Sequence, residues 1–247
     1  MFTGIVASVG RIDQVEALGE DGVRLHLHAA DLGMEDVAIG DSIAIQGACM
    51  TVVSKSGTGF VVDVSAESLR RTVGLHQPGP VNLEKAMRLS DRLGGHLVSG
   101  HVDGLGVVRR HQPVGESHLL EILAPWSMAA YLVYKGSITV NGVSLTVNDV
   151  ADLPLAEALD PAWDEVARRV LDPARQGDVL CCAFQINLIP HTVAVTTLRH
   201  LQPGARVNLE VDMVARYLAR RHQVERRDMG GQADRITDSA GELHDER

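Results

Sequence analysis

The side chains best suited to chemistry in this chain occupy matched positions of an internal repeat. Cys49 lies in the run GDSIAIQGACMTV at 40–52, and Ser144 holds the same place in the run GSITVNGVSLTV at 136–147. A thiolate is a nucleophile, whereas a serine hydroxyl mainly forms hydrogen bonds unless a neighbouring base activates it. Two similar modules with one altered reactive group predict two related pockets that need not do the same job.

Two further chemical groups break the similarity of the copies. In the register of the repeat, His101 replaces Ile5 and Asp212 replaces Ala86. An imidazole takes up and releases a proton near neutral pH, so His101 suits a proton shuttle. Asp212 comes directly before a predicted helix, where capping of that helix explains it as well as catalysis does. Both roles can coexist in one carboxylate.

Each of these residues also has an ordinary structural explanation. A single cysteine in a β run is more often a small buried apolar residue, and a serine beside a turn often bonds to its own backbone. His96 and His101 are five residues apart in a predicted strand, so their side chains would point to opposite faces. That spacing argues against a metal-binding pair, and we interpret His96 as structural.

The repeat defines two domains. Gly47 returns as Gly142 at an offset of 95, whereas the segment at 60–64 returns at 184–188 at an offset of 124, so the second copy carries an insertion of 29 residues. The pair Gly94–Gly95 marks the boundary. We predict an N-terminal domain at 1–94 and a C-terminal domain at 95–212.

Both copies are predicted to be β. Their short β-branched runs alternate between apolar and polar residues, and glycines separate them as turns. About six such runs occur in each copy. Because closure removes exposed sheet edges, we predict an all-β fold of two tandem six-stranded barrels.

The insertion, at about 152–180, is predicted to be helical. Asp160 is a candidate N-cap with Pro161 at the first helical position, and Pro173 would end the helix. The predicted apolar face consists of Leu159, Trp163, Val166 and Val170. The segment could be a lid or a surface excursion, and the tolerance of surface loops for insertions favours the excursion.

A second helix is predicted at 213–225, followed by a polar, glycine-containing tail at 226–247 that we expect to be disordered. The helix has a basic face and an apolar stripe that includes Val214, Tyr217 and Leu218. A single apolar stripe after two complete barrels needs a surface to pack on, so we predict oligomerisation through this helix.

Composition excludes several classes of function. The net charge of −9 and the pI of about 5.6 argue against nucleic acid or an anionic membrane as the main partner. No apolar run approaches the roughly 20 residues of a membrane span, and the start MFT lacks a basic secretory region. Three cysteines, two of them adjacent, do not form a disulfide framework, so we predict a cytoplasmic protein.

Five segments together resemble the riboflavin synthase alpha-chain family. They are MFTGIV at 1–6, GGHLVSGHV at 94–102, the run at 135–146, LIPHT at 188–192 and VNLEVD at 207–212. The resemblance implies two Greek-key barrels, a homotrimer held together by the C-terminal helix, no metal and no separate cofactor. It also implies association with lumazine synthase as a further partner.

The activity implied by the resemblance is a dismutation of two molecules of 6,7-dimethyl-8-ribityllumazine. One molecule gives a four-carbon unit to the other, yielding riboflavin and 5-amino-6-ribitylaminouracil. The active site is implied to form between the N-terminal barrel of one subunit and the C-terminal barrel of another. A duplicated pocket suits a reaction whose donor and acceptor are the same compound.

The resemblance also implies site residues. Catalytic roles are implied for Cys49, His101, Ser144, Asp212 and Ser42, and Phe2 is implied to pack near the ligand. Substrate contacts in the N-terminal pocket are implied for Gly4, Ile5, Val6, Cys49, Met50, Thr51, Asp63, Val64, Ser65, Ala66, Glu67 and Ser68. Those in the C-terminal pocket are implied for Gly100, His101, Val102, Lys135, Ser144, Leu145, Thr146, Asn187, Leu188, Ile189, Pro190, His191 and Thr192.

The strongest rival is a non-enzymatic lumazine- or flavin-binding protein of the same fold. Such a protein is expected to lack several of the four candidate groups Cys49, His101, Ser144 and Asp212, and this chain has them all. A duplicated barrel that serves as an interaction module fits the composition but not the ligand-lining segments. The insertion has no counterpart in the family pattern.

Overall fold

Short β-branched runs separated by glycine turns form thirteen strands in the part of the chain that the structure describes. The structure is a computed structural model, and it describes residues 1–19, 22–172 and 179–239, with side chains up to residue 226. The strands build two sheets, one in each copy of the repeat. The predicted all-β fold of two tandem barrels is confirmed.

The first barrel is a closed ring of antiparallel strands. Its strands are β1 (Ser8–Leu18), β2 (Gly22–His28), β3 (Ser42–Ile45), β4 (Ala48–Lys55), β5 (Gly59–Ser65) and β6 (Gly79–Lys85). They pair in the order β1-β2-β5-β4-β3-β6, and β1 also pairs with β6 to close the ring. Side chains alternate across each strand, which buries Ile43, Ile45 and Val62 completely inside.

The second barrel repeats this strand order as a seven-stranded sheet, with one strand divided. Its strands are β7 (Gly104–Val114), β8 (Ser117–Pro125), β9 (Ser137–Val140), β10 (Val143–Thr146), β11 (Asp149–Pro154), β12 (Leu180–Leu188) and β13 (Arg206–Val211). The order is β10-β9-β13-β7-β8-β12-β11, so β10 and β11 together replace β4. Val147 and Asn148 interrupt the strand, where β4 has only a bulge between Val52 and Ser54. The second copy therefore has seven strands, where six were predicted.

Five α-helices lie in the described residues. They are α1 (Ala66–Arg71), α2 (Leu155–Ala158), α3 (Asp164–Leu171), α4 (Pro190–Val195) and α5 (Met213–Ser239), with 3-10 turns at Ala30–Leu32, Met34–Asp36, Trp126–Tyr131 and Thr197–His200. The matching helices α1 and α4 follow the matching strands β5 and β12. No helix in these ranges is both long and apolar enough to cross a membrane.

Helices α2 and α3 belong to the insertion and pack on the outer wall of the second barrel. Trp163, Ala167 and Leu171 are buried there in one apolar cluster with Val107 of β7 and Leu123 of β8. Apolar area removed from water in this way stabilises the segment against the barrel. The insertion therefore thickens the wall of the barrel.

The insertion helix begins later than the sequence predicts. The Asp160 carboxylate accepts a hydrogen bond from the Ala162 amide (2.8 Å), so a turn precedes the helix and α3 starts at Asp164. The later start rotates the buried face. Trp163 is buried as predicted, but the prediction for Val166 is wrong, because this side chain is 39% exposed. The predicted stop at Pro173 lies outside the described residues.

Helix α5 is longer than the sequence predicts. It runs over Met213–Ser239 and so includes part of the segment 226–247 that was expected to be a disordered tail. No proline follows Pro203, and Arg221 pairs with Glu225 one turn further on (2.7 Å), so nothing local ends the helix at residue 225. The remainder of the predicted tail lies outside the described residues.

The two barrels meet through facing turns at 46–47 and 141–142. A Cβ atom on either turn glycine would lie within 3 Å of the other turn's backbone nitrogen (2.7 and 2.9 Å), so only glycine allows this approach. Two buried asparagines cross the boundary in matching ways. Asn82 Nδ2 donates to a carbonyl of the second turn (2.8 Å), and Asn208 Nδ2 donates to a carbonyl of the first (2.9 Å).

Substitution of Asn208 by alanine should destabilise the protein by about 3 kcal/mol. The change leaves the Gln46 carbonyl and the Val73 amide buried without these partners, and each orphaned group costs about 1–3 kcal/mol. Urea unfolding measures the loss. Asn187→Ala, at an exposed position of β12, is the matched control and should change stability by less than about 0.5 kcal/mol. Equal losses in the two variants would contradict the role given to the boundary asparagines.

Candidate active site

The segments that precede the two barrels are exchanged between them. Phe2 and Val98 form an antiparallel bridge, with amide-to-carbonyl distances of 2.8 and 3.1 Å. Beyond the bridge, the Gly4 carbonyl accepts the amide of Ser144 in the second barrel (2.7 Å). The Gly100 carbonyl accepts the amide of Cys49 in the first barrel (2.8 Å). Each segment thus reaches the reactive position of the other barrel.

Packing confirms the exchange. Val6 packs against the core of the second barrel, and Val102 packs against the core of the first. The placement of Gly4–Val6 at the first pocket and of Gly100–Val102 at the second is therefore wrong, and the two segments trade places. The register of a repeat shows which residues match, but it does not show which barrel a connecting segment faces.

Two buried carboxylates hold the exchanged segments. Glu84 accepts hydrogen bonds from Thr3 N (2.7 Å), Thr3 Oγ1 (2.7 Å) and Gly4 N (3.0 Å). Glu210 accepts the matching three bonds of the second segment, at 2.7, 2.6 and 2.9 Å. Burial raises the pKa of both carboxyl groups, and the hydrogen bonds to their anionic forms oppose that rise. Sequence reasoning missed both glutamates, although a carboxylate kept in both copies of an apolar strand was a usable signal.

Glycine brings these backbones to the reactive side chains. Gly4 and Gly100 have φ values of 74° and 78°, in the left-handed region that favours glycine. A Cβ atom on Gly4 would lie 2.6 Å from Ser144 Cβ, and one on Gly100 would lie 2.6 Å from Cys49 Cβ. Any larger residue would push the crossing segment away from the site.

Cys49 and His101 line one cavity of about 190 Å³ at the first barrel. The remaining lining residues are Ala48, Met50, Glu67, Ser68, Arg71, Thr72, Gly100 and Val102. Hydrogen bonds from Arg71 and Arg70 hold the pKa of Glu67 below its usual range. The structure thus brings together the candidate thiol and the candidate imidazole, which the sequence analysis placed in different pockets.

Several predicted contacts of the first pocket also have structural roles in the barrel. The side chains of Met50 and Val64 are buried in the barrel core, as the alternation along β4 and β5 requires. Asp63 forms a bidentate ion pair with Arg24 across two strands (2.7 and 2.9 Å), and the hydrogen bond from Arg24 lowers the pKa of Asp63. Ser65 caps α1 by accepting an amide of its first turn (3.1 Å).

The outer face of the first barrel beside Cys49 is apolar. Phe2 is completely buried there in a cluster with Ala44 and Val98, and Cys49 and Ala86 pack against it. The side chain that the resemblance places near the ligand therefore lies against the candidate thiol.

The matching face of the second barrel is polar. Ser144 Oγ lies 2.7 Å from His96 Nδ1, and His96 Nε2 lies 3.3 Å from Thr139 Oγ1. Thr139 replaces Ala44 in the register of the repeat. Burial lowers the pKa of His96, and the negative charge of Asp212 opposes that change. This face therefore offers hydrogen-bonding groups at positions where the first face has apolar side chains.

His96 is the main site residue that sequence reasoning missed. The structure has no strand at His96 and His101, so strand alternation does not place their side chains on opposite faces. The matched segments of the repeat begin at Thr3 and Ser99, so they do not include His96. Comparison of the copies therefore gave no signal at this position.

Asp212 caps helix α5 and also lies near His96. Its carboxylate accepts the Val214 amide in the first turn of α5 (2.8 Å), which is a helix cap. It also lies close enough to His96 for its charge to act on that imidazole. The capping role is thus confirmed, and the catalytic role of Asp212 stays a prediction.

The remaining predicted residues are spread around the two barrels. Lys135 donates to Asn148 Oδ1 (3.0 Å), the Leu188 side chain is buried in the second core, and Ile189–His191 is exposed at the start of α4. Ser42 lines a separate cavity of about 500 Å³. Within the described residues, no group of three or more His, Cys, Asp or Glu side chains is placed to hold a metal ion.

The architecture and the paired faces define a protein with a duplicated lumazine-binding domain. The family model of the Lumazine binding domain matches residues 3–86 and 99–212, one match in each barrel. Solved structures of LumP complexed with 6,7-dimethyl-8-(1'-D-ribityl) lumazine and with riboflavin share the fold, with TM-scores of 0.65 and 0.66. They are 22% and 23% identical to this chain and cover 85% of it and 99% of their own length.

Curated relatives are closer in sequence. The riboflavin synthase of Mycobacterium tuberculosis is 42% identical over 89% of this chain and 97% of the relative. The riboflavin synthases of Photobacterium phosphoreum and Bacillus subtilis are 39% and 35% identical over 89% of this chain, and the matches cover 88% and 89% of those relatives. The chain belongs to the riboflavin synthase family.

The buried His96 should make the protein less stable in mild acid. Its pKa in the folded state lies below the unfolded value of about 6.5, so protonation favours the unfolded state. The stability that the neutral imidazole contributes is fully present above about pH 6.5. It is lost as the pH falls through the lower pKa that His96 has in the folded state. Urea unfolding of the native protein and of His96→Gln from about pH 7.5 to about pH 5 measures it. The stability difference between the two should shrink as the pH falls, and a constant difference would contradict the assignment.

Proposed function

We propose that the chain is a riboflavin synthase, a transferase that acts on two molecules of 6,7-dimethyl-8-ribityllumazine. One molecule gives four carbons to the other, and the products are riboflavin and 5-amino-6-ribitylaminouracil. The atoms of the two substrates equal those of the two products, so the transfer needs no outside oxidant or reductant. Membership of the family and identities of 35–42% to riboflavin synthases support the proposal.

The observation that carries the proposal is the chemical difference between two faces built on one backbone plan. The first face offers a thiol, an aromatic ring and other apolar side chains, with His101 beside them. The second offers a serine hydroxyl bonded to an imidazole, with a carboxylate nearby. Two identical substrates can therefore bind in related ways and still be treated differently, which a donor and an acceptor require.

In the proposed mechanism, Cys49 positions the nucleophile that adds to C7 of the donor, and His101 moves a proton of the acceptor's C7 methyl group. Because both side chains line one cavity, these two steps take place close together. Ser144 and His96 hold the polar edge of the second lumazine. The negative charge of Asp212 opposes the effect of burial on the pKa of that imidazole.

The proposal includes a cytoplasmic homotrimer. Three apolar side chains on α5 are exposed, Val214 at 60%, Tyr217 at 71% and Leu218 at 62%, and an ion pair between Arg216 and Asp103 (2.7 Å) fixes the base of the helix. Exposed apolar surface of this kind supports an interface between copies. All three cysteines are free thiols, which suits a reducing compartment. Association with lumazine synthase stays a prediction.

A non-enzymatic lumazine- or flavin-binding protein, called a carrier below, is the second candidate, because the structures of LumP with a bound lumazine and with bound riboflavin share the fold. Incubation of the purified protein with 6,7-dimethyl-8-ribityllumazine alone separates the two. A synthase forms riboflavin, seen by its absorbance, together with the uracil product. Tight binding of the lumazine without any riboflavin would favour the carrier.

Cys49→Ser should lower the rate of riboflavin formation by about tenfold or more and retain part of the activity, because a hydroxyl keeps the hydrogen bonding and loses the thiolate. Cys181→Ser is the matched control. Burial raises the pKa of the Cys181 thiol to about 11, so this group supplies no thiolate near neutral pH and the variant should keep its rate. Full activity in Cys49→Ser would remove any catalytic role for the thiol.

The double variant Tyr217→Ser, Leu218→Ser should convert the trimer into smaller species, because it removes the apolar surface of α5. Light scattering coupled to size-exclusion chromatography gives the mass. Val133→Ser, at another exposed apolar side chain outside α5, should leave the mass unchanged. A trimeric mass for the double variant would show that another surface forms the interface.

A further inference from the structure

A polar cavity of about 300 Å³ lies between the two barrels, apart from the cavity that contains Cys49. The first barrel contributes Gln46 and His76, and the second contributes Asn141, His200 and Arg206. Among the described residues that line it are three basic side chains and no Asp or Glu. The charge of Arg206 in this wall is opposite in sign to the net charge of the chain, which is −9 with histidines counted as neutral.

Gln46 gives this cavity a fixed hydrogen-bond donor. The side chain is 9% exposed, and its Oε1 accepts the Asn82 amide (2.9 Å) and the Thr197 hydroxyl (3.4 Å). These bonds determine the orientation of the amide, so Nε2 points the other way. Nε2 has no acceptor among the described residues, and Gln46 is part of the cavity wall. A nearly buried donor held in this way is arranged for a ligand that accepts hydrogen bonds.

The second barrel supplies charge opposite this donor. Arg206 opens β13 with an exposed side chain and forms no ion pair with any described residue. His200 Nε2 accepts a hydrogen bond from Arg199 Nε (3.0 Å), which leaves its Nδ1 to carry the proton and donate. Guanidinium, imidazole and amide donors therefore reach the cavity from both barrels.

We propose that this inter-barrel cavity binds a phosphate group. A phosphate presents several strong acceptor oxygens and a double negative charge, and an arginine fork with further neutral donors matches that pattern. A carboxylate has only two oxygens and one charge and would leave donors of the cavity unused. Because the wall belongs to both barrels, the bound anion bridges them, and ligand binding to the folded state alone raises its stability.

Isothermal titration calorimetry of the full chain with inorganic phosphate, at constant ionic strength, tests the site. Arg206→Gln removes the guanidinium, and Gln46→Glu replaces the donor by an anion while keeping the acceptor of the Asn82 amide. Each variant should weaken phosphate binding by about tenfold or more. Arg92→Gln removes the same charge from an exposed arginine without an ion pair among the described residues, and it should bind phosphate as the native protein does.

The outcomes are distinct. No heat from phosphate, or equal binding by all four proteins, would overturn the proposal. Weakening confined to Arg206→Gln and Gln46→Glu supports it, and if Gln46→Glu fails to fold in urea unfolding, Arg206→Gln against Arg92→Gln decides. A parallel titration with glycerol 3-phosphate identifies the source, since tighter binding indicates a phosphate ester and equal or weaker binding indicates free phosphate. Neither titration depends on riboflavin formation.

Discussion

Two buried glutamates determine where the rest of this site can lie. A carboxylate removed from water is costly unless hydrogen bonds replace its hydration, and Glu84 and Glu210 each accept three of them from a crossing segment. The segments in turn place Gly4 against Ser144 and Gly100 against Cys49. The position of both reactive side chains relative to the other barrel therefore depends on these two anions.

The backbone arrangement that both barrels share explains how two similar halves can carry different chemical groups. Matching hydrogen bonds at the boundary hold both backbones in place, so single side chains can change without moving their neighbours. Thr139 for Ala44 and Asp212 for Ala86 turn an apolar face into a polar one. The second face also holds His96 beside Ser144. The two faces therefore differ in their side chains, while their backbones keep the same arrangement.

Sequence patterns were sufficient for the barrels because strand alternation and turn glycines act locally. They failed where long-range contacts decide. Val6 and Val102 carry no local sign of the barrel that they enter, and His96 lies in a segment that one bridge to Phe2 organises. The buried face of α3 depended on a turn at Asp160 that shifts the start of the helix. The grouping of Cys49 with His101 and of Ser144 with His96 was therefore visible only in the structure. The sequence named three of these four residues as candidate site residues.

The buried Phe2 has a consequence for how the chain folds. Its backbone partner is Val98, and the neighbouring Gly4 bonds to Ser144, so this segment, which precedes the first barrel, finds its partners only after much of the second barrel exists. Contacts so distant in sequence slow folding, because the ends of a long loop must meet first. They also tie the barrels into one cooperative unit, so the two should melt together in a single transition. A chain interrupted after the first barrel would instead keep an unpaired segment and an open apolar face, both of which favour aggregation.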